Sequence, residues 1–495
     1  MASFVKENTF KWNSVLRGFL ESNTPGKILL GYVHMRRRGL NIDSHTLGFV
    51  IKGCGLLMAG VPVGEQVHTQ VLKMGFSSEV VIQTAVLKMY GMFGDLVSAQ
   101  KVFDETSQRD MVQWNALVAV YAQRNHPYEA ILVARTMVRG YVRPNEVTVV
   151  SITSACSQLK DLQQGKLLHA YAIKNLLGFD MILSNALIDM YAKCGCLSSA
   201  RRLFGMMRSW NVITWTSMIN GYCDNGFLHE AMALFKEMQK VHVRPDEITM
   251  LGMVAMCAKM GESGLGNLVD EYVEKNGYTN SVYMANALID MHGKCGNIEK
   301  ACQIFKEMKV RTLVSWTSMI QGLALHGHGM EALVRFSQMQ RKGFVPDKVV
   351  FLNVLNACNH AGLATEGIQC FKLMVEEHGM DPWMEHYGSM VDLLCKAGLL
   401  GNAFDFVVNM PVKPDAVIWR ALIRAFKDQG QINLARDALL RLFELEPEHS
   451  GNYILKSNFL ATIEEWDHVK EVRDDLEIAR ICKREPGFSS IEVKP

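Results

Sequence analysis

Five tryptophans constrain this chain more than any other feature. Trp12, Trp114, Trp215, Trp316 and Trp419 recur at intervals of 102, 101, 101 and 103 residues, in the contexts KWNSVL, QWNALV, TWTSMI, SWTSMI and IWRALI. A second marker runs between them: TAVLKMYGMFG from Thr84, NALIDMYAKCG from Asn185 and NALIDMHGKCG from Asn286. A third marker, GYVRPN, VHVRPD and GFVPD, ends at Asn145, Asp246 and Asp347. Three interleaved markers on one shared period exclude coincidence. The period is a triplet of units of about 31–36 residues each, the size of a helix-turn-helix solenoid repeat.

One unit shows why the repeat is helical. Leu187, Met190 and Tyr191 recur at helical spacing and form one apolar stripe. Gly195 then stops the helix. Ala200, Leu203, Phe204 and Met207 form a second stripe at i, i+3, i+4 and i+7. Two amphipathic helices joined by a short turn make an antiparallel hairpin. Neither can bury its stripe alone, so neighbouring hairpins must stack. Pro144, Pro245 and Pro346 precede the Asn or Asp that ends a unit and block helix continuation there. The expected fold is therefore all-α, a right-handed superhelical solenoid of helix-turn-helix repeats.

Composition agrees and removes other classes. Apolar residues are 49% of the chain, too many for a disordered one. The 30 methionines fall on the apolar stripes and read as core filling. Lys plus Arg is 52 against 50 for Asp plus Glu, so net charge does not by itself mark a nucleic-acid binder, though a local basic stripe is compatible with it. The 12 cysteines fall singly at helical positions such as Cys156, Cys257 and Cys358 and read as small buried hydrophobes. Cys194 and Cys196 give only a weak metal signal, and no Cys-x-x-Cys occurs. No segment approaches about 18 uninterrupted apolar residues, so no membrane span is expected. Residues 1–8 are too short for a transit peptide.

The motifs MYAKCG and RPD and the Trp-Asn or Trp-Thr pairs, all in register, resemble the pentatricopeptide repeat family of land plants, in its class with alternating standard, long and short units. The resemblance covers about residues 9–493. Standard units are expected over Thr9–Asp43, Met111–Asn145, Val212–Asp246 and Leu313–Asp347. Long units are expected over Ser44–Glu79, Glu146–Asp180, Glu247–Ser281 and Lys348–Trp383, and short ones over Val80–Asp110, Met181–Asn211, Val282–Thr312 and Met384–Asp415. That makes a short N-terminal segment 1–8 and an array of about twelve units over 9–415. From Ala416 the pattern changes, and 416–493 resembles the E domain of editing-type members, followed by a tail at 494–495. The family usually closes that domain with a Cys and a Trp, where Phe488 and Ser490 stand here.

The resemblance also implies what the chain does. In the family the fifth and the last residue of a unit contact one RNA base, and RNA is read as an unstacked single strand, one base per helical repeat. The pairs are Asn13/Asp43, Thr84/Asp110, Asn115/Asn145, Asn185/Asn211, Thr216/Asp246, Asn286/Thr312 and Thr317/Asp347. Between them these side chains offer donors and acceptors. Helix capping is the competing explanation for Asn, Thr and Asp at such places. The second residues Phe10, Val81, Val112, Ile182, Ile213 and Val314 would sandwich bases in the family, or else pack helix flanks. Lys193, Lys294 and Lys396 recur at one place in short units, either solvated or on phosphates.

By the family rule the array reads 5′-U-N-G-Y-N-Y-G-N-N-G-N-N-3′, with three more bases and then the edited C. Long units are left as N, as are Asn286/Thr312 and the last short unit, with Gly388 at its fifth position.

A deaminase domain needs His-x-Glu and Cys-x-x-Cys for zinc, and no histidine here is followed two residues later by Glu. His229-Glu230 lacks a zincin's second His, and no phosphate-binding glycine loop occurs. The expected protein is therefore a non-catalytic, cofactor-free RNA-binding factor for cytidine-to-uridine editing. Its expected partners are single-stranded organellar RNA and, through the E domain, a deaminase-bearing editing protein and other editing factors. The expected compartment is the mitochondrion, with the chloroplast as the alternative. Two other readings are a splicing, stability or processing factor and a peptide-binding helical scaffold.

Overall fold

The computed structural model describes residues 9–57, 61–106, 109–178 and 180–478. Among the described residues there are 28 α-helices and no strand. None of these helices is long and apolar enough to cross a membrane. Phe488 and Ser490, residues 1–8 and the tail at 494–495 lie outside the described residues.

The helices alternate as hairpins. In the unit quoted above, Met181–Lys193 is followed by Leu197–Met206. Between them Gly195 takes a φ of +76°, a left-handed turn that a residue with a Cβ adopts only with strain. Leu187, Met190, Tyr191, Ala200 and Phe204 are buried as the periodicity requires. Met207 departs from that reading: the second helix ends at Met206, and Met207 is extended and half-buried just past it. The helix starts follow the unit starts. First helices begin at Thr9, Ser44, Val80, Met111, Glu146, Met181 and Val212, and further on at Val282, Leu313, Lys348 and Met384.

The chain divides into two compact parts, Met1–Met253 and Val254–Pro495. In the first, successive first helices pack on each other: Val80–Phe93 on Met111–Gln123, then Glu146–Leu159, Met181–Lys193 and Val212–Asp224. In the second, the same layer runs through Val282–Lys294, Leu313–Leu325, Lys348–Ala361, Met384–Lys396 and Ala416–Asp428. Second helices pack against their own partner and the next first helix. First helices approach closely through small residues. A Cβ added to Gly221 would lie 2.5 Å from that of Ala192, in the MYAKCG marker.

The tryptophan period has a packing cause. Trp114 meets Phe103 edge-on with ring centroids 4.7 Å apart, and Trp215–Phe204 and Trp316–Phe305 repeat the contact at 4.9 Å. Each phenylalanine comes from the second helix of the preceding short unit. The contact locks one triplet to the next and contributes about 0.5–1.5 kcal/mol beyond the area buried. Cys156, Cys257 and Cys358 are fully buried, and burial pushes the Cys156 thiol up to about 12 and that of Cys257 up to about 11. They behave as core atoms rather than nucleophiles.

Candidate nucleic-acid interface

The second residue of a unit is an exposed position in the first turn of its first helix. Phe10, Val81, Val112, Ile182, Ile213 and Val314 are between 55% and 78% exposed. At that exposure these side chains stand largely clear of the core. Further members escaped the sequence reading: Tyr283, second in its short unit and 77% exposed, and Val147 and Ile248, second in their long units and 55% and 62% exposed. The aromatic ring of Tyr283 offers a larger stacking surface than any aliphatic side chain.

In the standard and short units the last residue caps the helix that opens the next. Asp43, Asp110, Asn145, Asn211, Asp246, Thr312 and Asp347 each accept a bond from the backbone N–H three residues on, at 2.8–3.4 Å. Capping is thus realised at all seven. It still leaves the alternation of Asp and Asn unexplained, because both cap equally well through one oxygen. What differs is the second atom of the side chain, an acceptor in Asp and a donor in Asn.

The structure brings fifth and last residues together at five of the seven pairs. Asn13 Nδ2 donates to both Asp43 oxygens at 3.0 Å. Asn115 Nδ2 donates to Asn145 Oδ1 at 3.1 Å, and Asn185 Nδ2 to Asn211 Oδ1 at 3.4 Å. Thr216 Oγ1 donates to Asp246 Oδ1 at 3.3 Å, and Asn286 Nδ2 to Thr312 Oγ1 at 3.5 Å. Thr84 and Thr317 instead donate to their own helices, to Val80 O at 2.7 Å and Leu313 O at 2.8 Å. Burial pushes the Asp43 carboxyl up, but the amide and hydroxyl of Thr46 and the amide of Asn13 outweigh it and hold the carboxyl below its ordinary value. The side-chain oxygens of Asn185 and Asn286 are buried with no hydrogen-bond partner in the protein.

One cavity shows how these positions combine. Val81, Thr84, Asp110 and Val112 line a single groove of about 530 Å³ together with Gly48 and Lys88. Two exposed aliphatic side chains from successive units border it, and a polar fifth/last pair shares its wall. The long units present no such polar pair: their fifth residues are Gly48, Val150, Leu251 and Leu352.

The recurring lysines are held on their own helices. Lys193 pairs with Asp189 at 2.9 Å, Lys294 with Asp290 at 2.8 Å and Lys396 with Asp392 at 3.1 Å. Each cation is already partnered four residues back.

Similarity to known proteins follows the same lines. The family described as PPR repeat matches residues 182–212, 283–313, 314–344, 349–378 and 385–413, and a related PPR repeat family matches 211–259. The E motif matches residues 430–492. A pentatricopeptide repeat-containing protein of Arabidopsis thaliana is 36% identical over 495 residues, covering 98% of this chain and 87% of the relative. A mitochondrial relative from the same plant is 34% identical, covering 98% of this chain and 78% of its own length. Among solved structures, the pentatricopeptide repeat protein PPR10 from maize superposes with a TM-score of 0.58 at 18% identity, over 97% of this chain and 75% of that one. The same protein has been solved in complex with an 18-nucleotide psaJ RNA element.

Proposed function

The chain belongs to the pentatricopeptide repeat family of plants, and from that premise we propose that it binds one single-stranded organellar RNA sequence and marks a cytidine for editing to uridine. Residues 9–415 select the site. Residues 416–493 recruit a deaminase supplied by another protein, and the chain itself carries no step of the chemistry. The observation that carries the RNA reading is the groove at Val81, Thr84, Asp110 and Val112, with apolar second residues bordering a polar pair. A base stacks on apolar or aromatic side chains while its edge meets donors and acceptors. The E-motif match over 430–492 favours editing over splicing or transcript stability. Relatives carry both mitochondrial and chloroplastic names, so the compartment is an organelle, and we place it in the mitochondrion.

The test uses Thr216/Asp246. In competition binding with RNAs that differ only at the base facing that pair, Thr216→Asn moves the preference from G toward U. One wrong base costs about 1–3 kcal/mol, by analogy with DNA readout. Unchanged preference for G refutes the readout assignment. In a plant lacking the protein, at least one organellar cytidine loses editing. If every site stays edited, the editing role is wrong; altered splicing or transcript level then identifies a different processing role.

A further inference from the structure

The seven fifth/last pairs divide into two classes according to a residue outside the pair, the third residue of the following unit. That residue carries a hydroxyl at five junctions, as Thr46, Thr148, Thr214, Thr249 and Ser315, and is Gln113 or Val350 at the other two. All seven third residues are fully buried. The five junctions with a hydroxyl are those where fifth and last residues bond each other. The two without it are those where Thr84 and Thr317 turn onto their own backbone.

At three of these junctions the hydroxyl reaches both members of the pair; Thr214 and Ser315 reach only the last residue, Asn211 at 2.9 Å and Thr312 at 3.2 Å. Thr46 Oγ1 lies 2.7 Å from Asn13 Oδ1 and 2.8 Å from Asp43 Oδ1. Thr148 Oγ1 lies 2.5 Å from Asn115 Oδ1 and 2.9 Å from Asn145 Oδ1. With its oxygen accepting there and its nitrogen donating to the last residue, each of these asparagine amides has one orientation and shows a base a fixed donor and acceptor.

Thr216/Asp246 and Thr317/Asp347 make a matched comparison, since fifth and last residues are the same. At the first, Thr249 Oγ1 is 2.6 Å from Thr216 Oγ1 and donates to Asp246 Oδ1 at 2.7 Å, tying the three side chains together. At the second, Val350 offers Asp347 only its backbone N–H at 2.8 Å. A hydrogen bond out of reach of water is strong, and a reader held in place before binding loses less freedom on binding.

We infer that the buried third residue of the next unit is a positioning residue for base selection: a hydroxyl there that reaches the fifth residue makes the unit discriminating, and its absence leaves the unit permissive. Two units with the same fifth and last residues therefore select G with unequal stringency. The inference rests on the base-readout reading proposed above.

The full chain tests it by competition binding, using RNAs changed only at the base facing Thr216 or only at the base facing Thr317. Parental protein discriminates more strongly at Thr216. Thr249→Val lowers the G-over-other ratio there about fivefold, the worth of one net hydrogen bond. Val350→Thr raises the ratio at Thr317 by a similar factor, a gain that loss of folding cannot produce. Equal parental ratios, an unchanged ratio in Thr249→Val, or no gain in Val350→Thr overturns the inference. Thr216→Asn separates the two levels. If it shifts G toward U while the third-position variants do nothing, readout stands and positioning falls. If it shifts nothing, both fall.

Discussion

The junction at Asn115 and the junction at Arg420 share one backbone frame and put it to opposite uses. Arg420 follows Trp419 as Asn115 follows Trp114, so both are fifth residues of a first helix. At the first junction the partners are Asn145 and Thr148, neutral side chains that leave part of the Asn115 amide unspent. At the second, Arg420 Nε donates to Asn452 Oδ1 at 3.0 Å, and its guanidinium pairs with Glu446. Asn452 is fully buried, is the third residue of its helix Ser450–Thr462, and donates back to Glu446 O at 3.0 Å. The position that could read a base in the array is an internal ion pair past residue 416. The hairpin supplies the frame, and one charged pair decides whether its polar site is open to a ligand or closed as a strut.

Three measurements bear on that difference. The largest effect is expected from Arg420→Ala. It leaves the buried Asn452 oxygen without its donor and Glu446 without its cation. The ion pair is partly exposed and contributes little, whereas an unsatisfied buried acceptor costs about 1–3 kcal/mol. Residues beyond 416 should become protease-sensitive at lower temperature, with RNA affinity unchanged. A tenfold loss of RNA binding in a folded sample would mean that Arg420 is a reader after all.

Acid gives a smaller effect of opposite location. Burial lowers the values of His68, His169 and His386 below the ordinary imidazole value, and all three lie in the array. His68 and His169 each meet a tyrosine hydroxyl, at 3.1 and 2.9 Å, and His386 Nδ1 accepts from the Trp383 N–H at 3.0 Å. These neutral rings favour the fold fully above the unfolded value of about 6.5. As pH falls below it toward the lower folded values, the unfolded chain takes up protons first, and stability drops. His449 and His468, past residue 416, are not buried. Hydrogen exchange between pH 7.5 and 5.5 should therefore show array hairpins loosening before the C-terminal ones; the reverse order would contradict the assignment.

The smallest effect belongs to Lys193→Ala. The lysine is paired with Asp189 on an exposed helix face, an arrangement worth about 0.3–0.5 kcal/mol. Affinity should change less than about twofold, and the slope of log affinity against log salt should stay the same. A phosphate contact would lower that slope by about 0.7 for a single strand.

Much of this was present in the residues alone. Periodicity placed the helices, because an apolar stripe every three to four residues has few other ways to be buried. The register of Trp12 through Trp419 set the length of a triplet, and it located the second, fifth and last residues to which the family resemblance assigns base contact. Met207 was misplaced because an apolar residue just past a helix end continues the stripe in sequence but not in space. Only tertiary structure decided the rest. Whether Thr84 or Thr216 faces its partner depends on Gln113 and Thr249, residues about one unit further along that a local pattern does not connect. Whether Arg420 reads or braces depends on Glu446 and Asn452 in the same way. A helix is determined by neighbours three and four residues apart, but a polar site between stacked hairpins is determined by side chains that meet only after the stack has formed.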